Sequence, residues 1–381
     1  MGTTGAVKLT IMALSQEDTM RIQVLLRQDL KAVKIDESAM VLYALTAKGE
    51  AKLELHANCR DESYLRQVRE VFSTHVLGSP GGYPVFLKRW TRMGQTRAES
   101  LQSLLLLAEP EAVVAVAHAK GIDEDIARRA WWAMPTSDVA RRMLENQSVA
   151  QSGLGQELAA FLLEFLPFEE DPNAMIDSVR LILQANLISE DDRQSLWRKA
   201  GRKTAMYVGF LLADANKLPI DDSLTIRDNE LLRRLSQQAS NETMLKDLLA
   251  QLSEVGGQAF LDTVINVLKK MANQDVALQL FRAIQVYFNP SNELTRELPR
   301  DIEQVQASTR ENFAAVEQGF SDLDAEADAA LRAIYHLAHV SEQLLNPVFA
   351  QTDAVGTVMR KRLQHISDFI SDNIRVLQGM R

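Results

Sequence analysis

Ala39-Met-Val-Leu-Tyr-Ala-Leu-Thr46 and Ala51-Lys-Leu-Glu-Leu-His56 are the two stretches that decide the fold of the N-terminal region. Both are rich in β-forming residues or alternate between apolar and polar positions, and a glycine at position 49 separates them. This pattern predicts a β-hairpin. Ala32-Val-Lys-Ile35 is a candidate for a third strand.

Helical patterns lie on either side of these strands. Ser15 can cap a first helix, whose apolar stripe is formed by Met20, Ile22, Val24 and Leu25. A second helix begins at Asp61 and must end before Gly78-Ser-Pro-Gly-Gly-Tyr-Pro84, because glycine and proline interrupt helices. We therefore predict a small α+β domain over residues 12–94, built from a β-hairpin or three-stranded sheet with two helices.

The rest of the chain is predicted to be helical, so the fold class is mainly α. Between residues 95 and 300, helical segments of roughly 10–20 residues are separated by Pro, Gly or Asp. Short helices with short connections are typical of a HEAT-like repeat. No consensus recurs at a fixed period, so an irregular helical array is an equal alternative.

Residues 301–381 show a different pattern. Apolar residues recur there at spacings of four and three, which indicates a helix that packs along a long partner. A second amphipathic helix follows Asn346-Pro347, and its predicted apolar stripe consists of Val355, Val358, Met359, Leu363, Ile366, Phe369, Ile370 and Ile374. We predict a long-helix hairpin or a coiled-coil-like arm, and the same pattern is compatible with a homodimer through these helices. The first helix carries the spacing at Leu323, Ala327, Ala330, Ile334, Leu337, Ser341 and Leu344.

Composition places the protein among ordinary globular chains. It has 381 residues, a formal net charge of −9 and one cysteine, which disfavours bulk nucleic-acid binding and fits a reducing compartment. No apolar stretch approaches the roughly 20 residues that a bilayer span needs. We expect a cytoplasmic protein without a membrane span, in which residues 1–11 are a disordered leader and Met12 is an alternative start.

Few residues suggest catalysis. His336, His339 and Glu342 recur at spacings of three, which makes a poor metal cage on one helix, so we interpret them as structural and expect no metal or cofactor. Cys59 is a candidate reactive thiol because Arg60 follows it. The loop around Gly81 could wrap an anion with its amides. These two features support an alternative function as a sulfur carrier or an enzyme.

Two basic stretches with tryptophans are the candidate partner-binding sites. Such clusters bind acidic proteins or RNA, with the tryptophan as an anchor. The competing interpretation is that the arginines pair with acids of the same chain. The candidate residues are Lys88, Arg89, Trp90 and Arg92 in the first stretch, and Arg128, Trp131, Trp132, Arg141 and Arg142 in the second.

Both stretches resemble one known family. His75-Val-Leu-Gly-Ser-Pro-Gly-Gly-Tyr-Pro-Val-Phe-Leu-Lys-Arg-Trp-Thr-Arg-Met-Gly-Gln95 and Arg128-Arg-Ala-Trp-Trp-Ala-Met-Pro135 are similar to segments of the DsrS proteins of sulfur-oxidising bacteria. The resemblance covers residues 15 to about 215. It implies a soluble cytoplasmic accessory or regulatory protein, encoded alongside the reverse-acting dissimilatory sulfite reductase system and without an assigned reaction.

Together these observations predict a non-enzymatic interaction protein of sulfur oxidation. Its partners would be proteins of the sulfur-oxidation machinery, with RNA as an alternative partner.

Overall fold

A computed structural model describes residues 14–93, 98–184, 187–219, 229–239, 243–289, 298–317, 320, 323–351 and 353–379 of the chain. The predicted leader over residues 1–11 and the alternative start at Met12 lie outside these residues. The chain divides into two compact units, Met1–Leu162 (unit 1) and Leu163–Arg381 (unit 2).

A three-stranded antiparallel sheet lies near the start of unit 1. The strands β1 (Leu30–Asp36), β2 (Val41–Thr46) and β3 (Gly49–Glu54) neighbour one another in that order. Lys34 of β1 pairs with Tyr43 of β2, which pairs with Lys52 of β3, so these three side chains share one face of the sheet. The predicted small α+β region at the N-terminus of a mainly α chain is confirmed, and its sheet has the third strand.

Helices α1 (Gln16–Leu26) and α2 (Asp61–Leu77) share an apolar core with the sheet. Ser15 caps α1 by accepting a 3.1 Å hydrogen bond from the amide of Asp18, as the sequence predicts. Met20 and Val24 are nevertheless exposed, and the inward stripe of α1 is Asp18, Ile22 and Leu25. The other buried residues of this core include Val33, Leu42, Ala44, Tyr64, Leu65, Val68 and Phe72.

This α+β region belongs to a larger unit rather than ending at residue 94. The amide of Val33, on the outer edge of β1, donates a 2.8 Å hydrogen bond to the carbonyl of Leu105. The remaining helices of unit 1 follow as α3 (Gly82–Met93), α4 (Ala98–Leu104), α5 (Pro110–Ala117), α6 (Glu124–Ala133), α7 (Ser137–Leu144), α8 (Gln147–Ala150) and α9 (Gly153–Phe165), which runs into unit 2.

Unit 2 is a helical bundle with one continuous apolar core. It begins with a 3₁₀ turn (Leu166–Phe168), and a second 3₁₀ turn, Glu342–Leu344, follows α18. Its helices are α10 (Pro172–Ile182), α11 (Glu190–Ala200), α12 (Thr204–Ala213), α13 (Glu230–Gln238), α14 (Thr243–Ser253), α15 (Val255–Lys270), α16 (Gln274–Phe288), α17 (Ile302–Glu317), α18 (Ala325–Ala338), α19 (Asn346–Phe349), α20 (Gly356–Arg362) and α21 (Gln364–Leu377).

Packing in unit 2 is that of an irregular bundle. Helix α16 contacts α10, α12, α15 and α18, whereas each repeat of a solenoid contacts only its neighbours in sequence. Gly209 lets α12 approach α10 closely, since a Cβ atom there would lie 2.6 Å from the Cβ of Val179. Of the two alternatives for residues 95–300, this packing matches the irregular array.

The C-terminal helices do not form a separate arm. Helix α18 does pack against α21, as in a helical hairpin, but it also packs against α13, α16 and α17. The predicted a/d residues of α18 are buried in the common core of unit 2, so these side chains are not available for a homodimer interface. Helices α18 and α21 have 14 residues each, so the contact between them spans about two heptads and not a long coiled-coil seam.

No helix among the described residues combines the length and apolar character needed to cross a bilayer.

Candidate binding surface

The first predicted binding stretch lies on α3. Lys88 is exposed on this helix. Arg89, Trp90 and Arg92 belong to the same helix, but their side chains lie outside the described part of the chain. Partner binding by these residues stays a prediction.

The two tryptophans of the second stretch make contacts within unit 1. Trp131 is 9% exposed, packs edge-on against Phe161 and donates a 3.0 Å hydrogen bond to Glu157. Trp132 lies against the sheet, where Glu50 accepts a 2.8 Å hydrogen bond from its indole nitrogen. The Nζ atom of Lys34 lies 4.2 Å from the Trp132 ring centroid. The two rings therefore have structural contacts in their own unit.

The arginines of the second stretch are paired with acids of their own chain. Arg128 bridges Glu124 and Glu157, with N–O distances of 2.8 and 3.4 Å. Arg141 lies 3.8 Å from Asp138, and Arg142 lies 3.2 Å from Glu145. Exposed pairs of this kind add little stability, typically about 0–1 kcal/mol. They do offset the positive charge of the stretch, as the competing interpretation of the sequence proposed.

The loop at Gly81 holds an anion that belongs to the chain itself. The carboxylate of Glu109 accepts a 2.8 Å hydrogen bond from the amide of Tyr83, in the first turn of α3. The amide of Gly82 donates to the hydroxyl of Ser73 at 2.8 Å. The Tyr83 amide therefore already has a carboxylate partner in the chain, and binding of an external anion by this loop stays a prediction.

Cys59 is half-buried at the edge of the unit 1 core. The side-chain amide of Gln67 lies 3.9 Å from its sulfur, within hydrogen-bond distance for a thiol. The thiol itself donates to the carbonyl of Arg60 at 3.7 Å.

The histidine pair is held by separate partners. The Nδ1 atom of His336 lies 2.8 Å from the side-chain oxygen of Asn373, and that of His339 lies 2.7 Å from the carbonyl of Tyr335. Burial lowers the pKa of His336, which favours the neutral ring at pH 7. Within the described ranges, no three His, Cys, Asp or Glu side chains are grouped to hold a metal ion.

Sequence reasoning missed a buried carboxylate in unit 1. Asp18 accepts hydrogen bonds from the Tyr64 hydroxyl and, at 2.8 Å, from the amide of His56. Burial opposes the charged form of Asp18, but these bonds outweigh it and lower its pKa. Burial and the contact with Asp18 raise the pKa of Tyr64 to about 12. The sequence did contain a signal for this buried acid. Asp18, Ile22 and Leu25 are spaced by four and three residues, so Asp18 lies on the same helix face as the two apolar residues.

Unit 2 carries a second feature, a surface on which exposed cations lie near exposed apolar side chains. The first part of this surface is a groove of about 650 Å³. The groove is lined by Phe168, Arg202, Lys203, Lys270 and the start of α16. Phe168 is 78% exposed. The acids Glu169 and Glu170 also line the groove, and the carbonyl of Glu169 accepts a 3.3 Å hydrogen bond from Lys203.

The second part of this feature is α20. The amide of Gly356 donates to the carbonyl of Ala272, and the guanidinium of Arg360 donates to the carbonyl of Met271, both at 2.8 Å. These bonds place α20 directly beside Lys270. Val355 and Val358 are 62% and 56% exposed. We call the groove and α20 together the unit 2 basic face; its exposed members are Phe168, Arg202, Lys203, Lys269, Lys270, Val355, Val358, Lys361 and Arg362.

The cations of this face differ from Arg128, Arg141 and Arg142 of the second predicted stretch, each of which has a carboxylate partner. Among the described residues, no carboxylate forms an ion pair with any of its six exposed lysines and arginines. Helix α20 was predicted to be amphipathic, with Val355 and Val358 in its apolar stripe. In the structure Met359 of this stripe is buried, as predicted, whereas both valines are exposed. The run Arg360-Lys361-Arg362 in an acidic chain was the available signal.

The comparisons with known proteins give no relative: the chain matches no protein-family model, no curated protein and no solved structure.

Proposed function

We propose that this protein is a non-enzymatic, cytoplasmic binding protein that supports dissimilatory sulfur oxidation, and that it binds a protein partner through the unit 2 basic face. The pathway rests on the resemblance of residues 75–95 and 128–135 to the DsrS proteins. The single cysteine fits a reducing cytoplasm.

The observation that carries the proposal is the contrast between two sets of cations. Arg128, Arg141 and Arg142 are each within 4.0 Å of a carboxylate. The six exposed cations of the unit 2 basic face pair with no described carboxylate, and three exposed apolar side chains accompany them. Exposed apolar groups next to charges that lack a partner are typical of a surface that another molecule covers.

Affinity purification from a sulfur-oxidising cell tests the proposal. The bait is the full chain, compared with the variant Lys361→Glu/Arg362→Glu. A charge reversal on the face should weaken capture of the specific partner by about tenfold or more, since like charges would then meet in the interface. The partner, identified by mass spectrometry, must then bind the purified protein and lose binding to the same variant.

A matched control distinguishes the effect of charge reversal on the unit 2 basic face from the effect of a change in the total charge of the protein. Lys48→Glu/Lys120→Glu changes the total charge equally at two exposed lysines of unit 1, so it should leave partner capture unchanged. Equal capture by all three proteins would exclude the unit 2 basic face as the binding site.

A second candidate function is favoured by the Gln67 contact with Cys59. Transfer of the outer sulfur of a low-molecular-weight persulfide to the Cys59 thiol would release the corresponding thiol, and the Gln67 amide, 3.9 Å from the Cys59 sulfur, would lie beside the product. Mass spectrometry after incubation with a low-molecular-weight persulfide should then show a mass increase of one sulfur on Cys59. An unmodified Cys59 under conditions that modify free glutathione would exclude the carrier function.

A further inference from the structure

We infer that the unit 2 basic face binds an acidic segment of a partner protein, in which carboxylates lie next to aliphatic or aromatic side chains. The inference rests on the proposed function and specifies the chemistry of the partner. It depends on how cations and apolar groups alternate along the face.

The face offers apolar contacts at two places. Val355 and Val358 project from α20, while Met359 fixes the same helix in the core. Phe168 projects at the groove, where Met175 and Val276 are also part of the lining. Burying one exposed valine or phenylalanine side chain contributes about 1.5–3 kcal/mol before the costs of association. An apolar residue in the partner is therefore needed at each place.

Cations lie beside each apolar group. Lys361 and Arg362 follow the valines within the same helix, and Lys269 and Lys270 lie next to α20 through the bonds of Met271 and Ala272. Arg202 and Lys203 line the same groove as Phe168. The acids of the groove, Glu169 and Glu170, offset part of this charge. The face still has more cations than carboxylates, so it attracts a segment rich in Asp or Glu.

Two other anionic partners fit the face less well. Single-stranded RNA is bound by several aromatic side chains on which successive bases stack, whereas Phe168 is the one aromatic member of this face and α20 presents valines. Moreover, a long polyanion would extend beyond the face and meet the negative excess of the rest of the chain. An anionic membrane is bound by long amphipathic helices with large apolar residues, whereas α20 has 7 residues and presents valines.

Fluorescence anisotropy with synthetic probes tests the inference directly. The main probe is a labelled, helical Glu/Leu peptide with leucine on one face. One matched peptide replaces Glu by Gln, and another replaces Leu by Ser. We expect the Glu/Leu peptide to bind the full chain at least about tenfold more tightly than either matched peptide, because each lacks one of the two required contacts.

Variants of the chain assign the binding to the face. Lys361→Glu/Arg362→Glu should weaken binding of the Glu/Leu peptide by about tenfold, and Val358→Asp should weaken it several-fold. The control Lys48→Glu/Lys120→Glu should bind like the parent chain. Circular dichroism and thermal melting confirm that each variant is folded, and Val358→Ser provides a milder test if Val358→Asp is not.

The outcomes separate the inference from the proposed function. If the cellular partner depends on the face but the Glu/Leu peptide does not bind, the proposed function stands and the acidic-segment inference is overturned. Tighter binding of vesicles containing phosphatidylglycerol, or of a single-stranded polyuridine oligomer, with loss in the same variants, would overturn it in favour of a membrane or RNA. If neither the partner nor the peptide responds to the variants, both are overturned.

Discussion

The carboxylate of Glu109 accepts a 2.8 Å hydrogen bond from the backbone amide of Tyr83 and so caps the first turn of α3 from a distant point of the chain. Helix α3 begins in the Gly-rich loop that sequence analysis considered for anion binding. Arg69 fixes the other side of this contact by donating a 3.1 Å hydrogen bond to the carbonyl of Ala108. The amides of the loop therefore serve the fold of unit 1.

Removal of the Glu109 carboxylate should loosen the start of α3. We expect Glu109→Ala to lower the free energy of unfolding by about 1–3 kcal/mol, because a charged hydrogen bond to a helix terminus is lost. Amide hydrogen exchange at Tyr83 should accelerate in the same variant. Glu111→Ala, an exposed acid in the first turn of α5, is the matched control and should change stability by less than about 0.5 kcal/mol. Slow exchange at Tyr83 in both variants would contradict the capping role.

Gly82 is required by the same contact. Its φ angle is +55°, and a Cβ atom there would overlap the Glu109 carboxylate. Gly78 has a φ angle of +69°, but open space surrounds its Cβ position. We expect Gly78→Ala to cost about 1 kcal/mol through backbone strain alone, and Gly82→Ala to lower the thermal midpoint clearly further. Equal midpoints for the two variants would mean that Glu109 moves aside without cost.

The coarse fold followed from local patterns. Alternation at residues 39–46 and 51–56, and helical spacing after residue 95, act within a few residues of sequence. Domain boundaries depend instead on distant contacts, such as the bond between Val33 and Leu105, which no local pattern contains. The packing of α18 against α21 matches the predicted hairpin, but the a/d spacing did not reveal that other helices of unit 2 also cover α18, because such a spacing identifies an apolar stripe and not its partners.

The predicted binding residues also show that a local sequence pattern does not reveal contacts with distant parts of the chain. A cluster such as Arg128 with Trp131 and Trp132 has the composition of a binding surface, yet its neighbours in space supply Glu157 and Glu50 as partners. Val358 shows the opposite error: its position in the predicted apolar stripe indicated a buried residue, but the side chain is exposed in the structure. The pairing of Arg128 with Glu157, 29 residues away, cannot be derived from one sequence, whereas the partners of Arg141 and Arg142 lie only three residues from them.

The buried Asp18 predicts how stability changes with pH. Its pKa is lowered in the folded state, so its contribution is complete above the unfolded pKa of about 3.9 and is lost as the pH falls through the lower, folded pKa. At pH 7, Asp18→Asn should be less stable than the parent chain by about 2 kcal/mol, since hydrogen bonds to a carboxylate are replaced by weaker ones. This difference should shrink below about pH 4.

Urea unfolding at several pH values between neutral and acid measures this difference. Asp29→Asn is the control, because Asp29 forms an exposed ion pair with Lys31 and should change stability by at most about 1 kcal/mol. A difference between the parent chain and Asp18→Asn that stays constant down to pH 3 would show that the carboxylate charge does not stabilise the fold.

Lys34 and Trp132 provide a test of how α6 is held on the sheet. The ammonium group of Lys34 lies 4.2 Å from the ring centroid of Trp132 and also donates a 2.9 Å hydrogen bond to the carbonyl of that residue. In Trp132→Leu the carbonyl bond persists, whereas in Lys34→Met both contacts are lost. A double-mutant cycle should therefore isolate the ring contact, with a coupling energy of about 1 kcal/mol.

Lys52→Met supplies the control cycle, since Lys52 lies on the same face of the sheet but pairs with Glu54, and we expect no coupling to Trp132. A coupling near zero for Lys34 as well would mean that the bond to Glu50 and apolar packing alone hold the ring.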